Sequence, residues 1–186
     1  PCTEIHYDFG PDACDKQGVE GHVCEVNGDC NRIVEIWNNV FIQFNRLSAT
    51  EFQPLPKTHV DTGMGLERIV AVLQGVKGNY ETDLLKPLLA ETQRIAGQSD
   101  QERAENLTAY RVIADHTRAA SFLIADGVIP GNVGRNYVCR MIIRRAARFA
   151  RTIGLKEPFM ARVAKIVVEI YGQHYPELKR EQELIY

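Results

Sequence analysis

Residues 58–68 read Thr58-His59-Val60-Asp61-Thr62-Gly63-Met64-Gly65-Leu66-Glu67-Arg68, a short strand, a glycine corner and the start of a helix. Gly63 and Gly65 let the backbone turn tightly where a helix begins, and unpaired amides with the helix dipole favour an anion there. Arg68 adds a planar guanidinium that can fork onto a phosphate or stack on a base. Asp61, just before the corner, is a natural partner for an ammonium group. A glycine corner by itself is more often only a turn, so the chemistry needs support from elsewhere in the chain.

A second concentration of function-bearing residues lies between Arg135 and Arg151, where 17 residues hold six arginines and no acid. At about 100° per residue, Arg140, Arg144, Arg148 and Arg151 fall in an arc of about 80°. Val138, Ile142, Ala146, Phe149 and Ile153 are expected on the opposite, buried side. A charged stripe is usually a solvated face, but one of a single sign suits phosphate recognition. A third group is Cys14, Cys24 and Cys30, with His22 or Cys2 as a fourth candidate ligand for zinc. Their spacing is loose and contains no Cys-x-x-Cys pair, so free thiols in a loop are the expectation and zinc is the alternative.

The elements that must hold these groups change character near residue 64. Before it the pattern is strand-like: Glu4 to Asp8 is one strand and Ile33 to Phe44 another, apolar on both faces and therefore central. A polar turn is expected from Arg46 to Pro56, then a brief strand at Thr58-His59-Val60. Residues 10–30, with Gly10, Gly18, Gly21 and Gly28, are loop. From Met64 onward helical spacing dominates: to about Leu73, then 80–97 stopped by Gly97, Tyr110 to Asp126, Arg135 to Ile153, and Phe159 to Tyr171. Pro176 to Tyr186 is charged, a frayed helix. The fold class expected is α+β.

With 186 residues, 45% of them apolar and 25% charged, the chain is neither a disordered tail nor too small for a core. No apolar run is long enough to span a bilayer and no signal peptide opens the chain. Five cysteines, an odd number, suit a reducing compartment. A soluble cytoplasmic protein with no membrane partner is expected. A net charge of -2 argues against a polyanion binder acting through its whole surface. Pro1 in place of Met, ahead of a sheet-like segment, gives the expectation of a piece from a longer protein.

Val60-Asp61-Thr62-Gly63-Met64-Gly65-Leu66-Glu67-Arg68-Ile69 resembles motif 3 of class II aminoacyl-tRNA synthetases, in the wording used by the alanyl-tRNA synthetases. Glu35-Ile36-Trp37-Asn38-Asn39-Val40-Phe41-Ile42-Gln43-Phe44-Asn45 resembles the preceding core strand of that family, and Pro1-Cys2-Thr3-Glu4-Ile5-His6-Tyr7-Asp8 the strand before it. The resemblance implies that Asp61 holds the amino group of alanine, that Asn38 contacts the same substrate, that Val40 narrows the pocket and that Gly63 lines it closely. It implies that Arg68 and Gly65 face ATP, with Glu35 a candidate for holding its Mg2+. Asn38 and Val40, two apart on a strand, share a face, and a small apolar wall with one carboxylate and one amide suits a small amino acid. No nucleophilic side chain is required and none is nominated as catalytic. The family's motifs 1 and 2 are absent from these residues, so the chain alone is expected not to activate alanine.

Three further segments resemble the tRNA-recognition domain of the same family: Tyr110-Arg111-Val112-Ile113-Ala114-Asp115-His116-Thr117-Arg118, the loop Ala125-Asp126-Gly127-Val128-Ile129-Pro130-Gly131-Asn132-Val133-Gly134-Arg135, and Tyr137-Val138-Cys139-Arg140-Met141-Ile142-Ile143-Arg144-Arg145-Ala146. That family reads a wobble pair in the acceptor stem of tRNA(Ala). Asn132 matches the loop asparagine of that contact, with Arg135, Arg140, Arg144, Arg145 and Arg148 as backbone contacts. Asn136 stands where the family usually has glycine. The expected organisation is residues 1–77 as the last part of a catalytic domain, a partial antiparallel class II sheet, and 78–186 as a helical acceptor-stem domain. The rival is a stand-alone RNA-binding or regulatory paralogue without catalysis. Asn38, Asp61 and Arg68 together argue against it.

Overall fold

The computed structural model describes all 186 residues, which form two compact units, Pro1–Thr82 and Asp83–Tyr186. No helix is long and apolar enough to cross a membrane. The first unit runs past residue 77 because the 3-10 turn Asn79–Glu81 packs with the helix before it.

That unit is a three-stranded antiparallel sheet in the order β1 (Cys2–Asp8), β2 (Ile33–Arg46), β3 (Phe52–Met64), followed by α1 (Leu66–Gln74). β2 is central, as its two apolar faces require. β3 is much longer than the three residues expected, and the chain reverses within Leu47–Glu51, where Leu47 N–H donates to Glu51 O at 3.0 Å. Pro54 and Pro56 suggested a turn, but β3 pairs along only one side, and an edge strand tolerates proline. α1 ends at Gly75, whose positive φ of 64° supplies the left-handed residue of a Schellman stop, with Val76 N–H donating to Ala71 O at 3.0 Å.

The register breaks twice. Between Ile42 and Phe44 the partner jumps from His59 to Pro54, and between Ile5 and His6 it jumps from Trp37 to Glu35. The second break is a β-bulge that leaves Ile36 unpaired and changes which residues of β2 face the same way.

The second unit is helical: α2 (Lys86–Ala96), α3 (Asp100–Glu105), α4 (Leu107–Ala125), α5 (Gly134–Thr152), α6 (Met160–Tyr171), α7 (Pro176–Arg180) and α8 (Gln182–Ile185). α4 is the axis, packing against α2, α5 and α6. Its Tyr110 and Ile113 are fully buried with Leu88 of α2 and Val163 and Val167 of α6. The Tyr110 hydroxyl donates to Gln98 Oε1 at 2.8 Å, so the buried ring keeps its polar end satisfied.

Three details depart from the periodicity reading. The helix expected over 80–97 begins only at Lys86, after the 3-10 turn Asn79–Glu81. α3 was not expected; a capping box starts it, Glu102 N–H donating to Ser99 Oγ while Ser99 N–H donates to Glu102 Oε2 at 2.8 Å. In α5 the buried ridge is Cys139, Ala146 and Ala150, continuing to Ile153, whereas Val138 is 47% exposed. Ala146 and Ile153 lie in the ridge as expected, and with Cys139 and Ala150 its centre is turned by about 50° from the one expected. The buried positions of α5, which packs against α4, are mostly small side chains.

Candidate functional site

Directly opposed residues of an antiparallel pair project from the same face. The register sets Glu4 against Asn38, Cys2 against Val40, Val40 against Asp61 and Asn38 against Gly63. Asn38, Val40, Asp61 and Gly63 therefore share one face of the sheet, with Glu4 beside them. Strict alternation along β2 would send Glu35 to the other face, with Trp37. The bulge reverses this: His6 is paired with Glu35 and follows Cys2 and Glu4 in parity, so Glu35 joins the face of Asn38. On the opposite face Trp37 Nε1–H donates to Thr62 Oγ1 (2.5 Å) and Thr62 in turn to Asn39 Oδ1 (2.8 Å).

The corner after β3 is anchored on β2 by Gly65 N–H donating to Ile36 O at 3.1 Å. Arg68, in the first turn of α1, donates from Nη1 to Glu35 O at 2.6 Å and lies 3.9 Å from Glu35 Oε2. A Cβ at Gly65 would meet Arg68 Cδ at 3.1 Å, so glycine here lets the guanidinium stem lie across the corner. At Gly63 a Cβ would meet nothing within 4 Å. The close lining expected there is not imposed by the atoms of this chain.

Asn38 is polarised by its surroundings. Its Nδ2 donates to Glu4 Oε1 at 3.1 Å, while its Oδ1 is buried and has no partner. A buried acceptor left unpaired costs free energy, and this one lies on the face that carries the Asp61 carboxylate. Asp61 is exposed, and neither a hydrogen bond nor an ion pair engages its side chain. The face thus offers two acceptors, diagonal to one another, with Val40 opposite Asp61 and Gly63 opposite Asn38.

Residues 9–32 form an insertion closed at its base by Asp8 and Arg32, which meet through two hydrogen bonds of 2.8 Å. The Arg32 guanidinium and the Gly10 N–H hold the Asp8 carboxyl at about 2. Inside the loop Cys14, His22, Cys24 and Cys30 converge, their ligand atoms all within 4.8 Å of one another. His22 Nε2 is 3.3 Å from Cys14 Sγ and 3.5 Å from Cys24 Sγ. Tetrahedral zinc with ordinary Zn–S and Zn–N bonds gives ligand separations of roughly 3.6–3.8 Å, so the four donors fit with small adjustments. His22 Nδ1 faces Asp29 Oδ1 at 3.5 Å, the outer carboxylate that commonly orients a metal-bound imidazole, and Asp29 is itself paired with Lys16. A hydrogen bond involving the Arg32 backbone lowers the Cys30 thiol, whereas its contact with Cys14 and then burial push Cys24 up. Cys2 is exposed and outside the cluster.

In the helical unit Arg135, Arg140, Arg144, Arg145, Arg148 and Arg151 are all exposed. Arg145 lies over the Phe149 ring, 5.7 Å from its centroid. Arg140 Nη1 donates to Asn132 Oδ1, which fixes the loop asparagine against α5. Asn136 closes the same loop by donating from Nδ2 to Ile129 O at 2.5 Å, a bond that glycine could not make.

The sequence profile of the tRNA synthetases class II (A) matches residues 1–186. The chain belongs to this family. Among relatives, it is 49% identical over 185 residues to the alanine-tRNA ligase of Chloroflexus aurantiacus, covering 100% of this chain and 20% of that protein. It is 44% identical over 184 residues to the alanine-tRNA ligase of Desulfitobacterium hafniense, covering 99% of this chain and 21% of that protein. The Desulforamulus reducens alanine-tRNA ligase is 45% identical over 183 residues, 98% of this chain and 20% of the relative. The chain thus spans about a fifth of the length of the curated relatives it matches. For this class II chain, motif reading had singled out Asn38, Val40, Asp61, Gly63, Glu35 and Arg68. It passed over Glu4, which contacts Asn38 on the neighbouring strand, and His6 and Asn27, which contact Glu4. The available signal was the alternation of Glu4, His6 and Asp8 with Ile5 and Tyr7.

Proposed function

We propose that this chain is part of an alanine-tRNA ligase, supplying the amino-group end of the alanine pocket, an ATP arginine and a surface for the acceptor stem of tRNA(Ala). The buried, partnerless Oδ1 of Asn38 on the face of the unpaired Asp61 carboxylate carries this reading. An α-ammonium between them satisfies the amide oxygen and neutralises the carboxylate, and Val40 accommodates a methyl while crowding longer side chains. Arg68 and the corner at Gly65 face the nucleotide, and Glu35, beside Arg68, is the carboxylate that would hold Mg2+ brought with ATP. Mg2+ ordinarily takes one or two carboxylates together with phosphate oxygens, so a lone glutamate fits.

The reaction needs no side-chain nucleophile. The alanine carboxylate attacks the α-phosphorus of ATP and pyrophosphate leaves; a ribose hydroxyl at the tRNA 3′ end then attacks the adenylate carbonyl and AMP leaves. This chain contributes position and charge: Asp61 and Asn38 fix the amino group, and Arg68 offsets phosphate charge. On the helical unit the arginines of α5 hold the RNA backbone. Asn132, its oxygen engaged by Arg140, presents its amide N–H as a donor to a groove edge.

The test is amino-acid-dependent ATP–pyrophosphate exchange by the complete protein that carries this chain. Alanine should support exchange with a kcat/KM roughly 10–200 times that of glycine, since one methyl in an apolar pocket is worth about 1–3 kcal/mol. Exchange that is indifferent to the amino acid would remove the reading.

Cys14, His22, Cys24 and Cys30 are read as the ligands of one structural zinc ion. Four protein ligands leave no open position, so the metal would supply cross-linking of the insertion rather than reactivity. Purified protein from zinc-replete cells should contain about one zinc per chain, and Cys30→Ala should lose it. A zinc content near zero in the parent protein would leave the cluster as free thiols.

A further inference from the structure

The oxygen of Asn38 can receive an ammonium only if its amide is turned one way round, and the atoms that decide this lie outside the pocket. A carboxylate accepts and does not donate, so Glu4 Oε1, 3.1 Å from Asn38, must face the Nδ2 end. The opposite orientation would set two oxygens against each other and present N–H groups to an incoming ammonium. Glu4 is itself held. Its Oε2 accepts from Asn27 Nδ2 at 3.2 Å, and Asn27 Oδ1 accepts from His6 Nε2 at 3.0 Å. His6 Nε2 also lies 3.7 Å from Glu4 Oε2, and the Glu4 and His6 side chains are 26% and 11% exposed.

Asn27 reaches this position from the insertion, between Cys24 and Cys30 of the donor cluster, with a positive φ of 58°. It is the one residue other than glycine with such a φ in the chain. Asparagine tolerates that conformation better than most residues, and here its side chain is used at both ends. The loop therefore delivers a two-ended clamp to the sheet face: Asn27 fixes Glu4, Glu4 orients Asn38, and Asn38 offers its oxygen to the substrate.

We propose that Glu4 and Asn27 are positioning residues that set the polarity of the amino-acid pocket, so that it selects an α-ammonium over an uncharged group at the same position. The inference rests on the assignment of Asn38 to the alanine site and goes beyond it by placing the control of selectivity on β1 and the cysteine-bearing loop.

The test uses the complete protein, with pyrophosphate exchange for alanine and inhibition by L-lactate, in which a hydroxyl replaces the ammonium. In Glu4→Gln the new carboxamide matches Asn38 in either orientation, so the amide is free to turn. The alanine KM should rise about tenfold, the ATP KM should stay within twofold, and inhibition by lactate should be unchanged or stronger. Asn27→Ala should shift the alanine KM the same way by a smaller factor. Combined with Glu4→Gln it should add little, because it acts through Glu4. Equal weakening of alanine and lactate would show a merely structural role, and an unchanged alanine KM in Glu4→Gln would also overturn the proposal. A parent protein without alanine-dependent exchange would remove the pocket assignment itself and this inference with it.

Discussion

Asp61→Ala in the complete protein is expected to lower kcat/KM for alanine in pyrophosphate exchange by about a hundredfold. The lost interaction is a charge-assisted hydrogen bond to an ammonium, worth roughly 1.5–3 kcal/mol, and a factor of ten corresponds to about 1.4 kcal/mol. An ion pair in open solvent would be worth much less, about 0.2–1 kcal/mol. The larger value applies because the ammonium, once it reaches the buried Oδ1 of Asn38, has left water on that side. Asp61→Asn should lie between the two, keeping an acceptor without the charge. The loss should appear with alanine and not as a change in ATP KM, since Asp61 lies on β3 and the nucleotide is assigned to Arg68 on α1. A change of less than threefold in Asp61→Ala would mean that the amino group is held elsewhere.

The triple variant Arg144→Ala, Arg148→Ala, Arg151→Ala should weaken binding of an acceptor-stem minihelix roughly hundredfold at low salt. Its clearest signature is the salt dependence. Each phosphate no longer neutralised should reduce the slope of log K against log salt by about 0.7–0.9, so three contacts should remove about two to three units. The loss should be nearly the same for a minihelix with the wobble pair and one without it, because phosphate contacts position the RNA and do not read it. Asn132→Ala should behave oppositely, with little change in slope and a narrowed preference between the two minihelices. Arg140 is left intact because it holds Asn132, and its removal would mix the two effects. An unchanged salt slope in the triple variant would return the stripe to an ordinary solvated face.

How much of this site was legible beforehand differs from residue to residue. Asn38 and Val40 could be put on one face because they are two apart in a strand, and that parity holds. For Glu35 strict alternation would give the opposite face from Asn38; the bulge opposite His6 adds a residue on β2 and brings Glu35 round to the face of Asn38. Cys14, His22, Cys24 and Cys30 were named as candidate zinc ligands, with free thiols the expectation from their loose spacing. Closure of the insertion by Asp8 and Arg32 is what brings them within 4.8 Å. The Ser99-x-x-Glu102 cap of α3 was written in the sequence and overlooked, whereas the burial of Cys139 and Ala150 in α5 in place of Val138 could not be read from α5 alone.

Local chemistry along the chain determined the helices from α1 onward, the glycine corner, the central character of β2 and the types of residue available to hold an amino acid, a phosphate or a metal. These depend on periodicity and on interactions within a few residues, where a side chain and its partner are bound by a short stretch of backbone. Tertiary structure alone decided the strand register, the bulge, the gathering of the cysteines and the contact of Glu4 with Asn38, whose residues are 34 apart. Such pairings come from the balance of many distant contacts after loop-closure entropy has been overcome. A shift of one residue in register would turn every side chain of a strand to the other face.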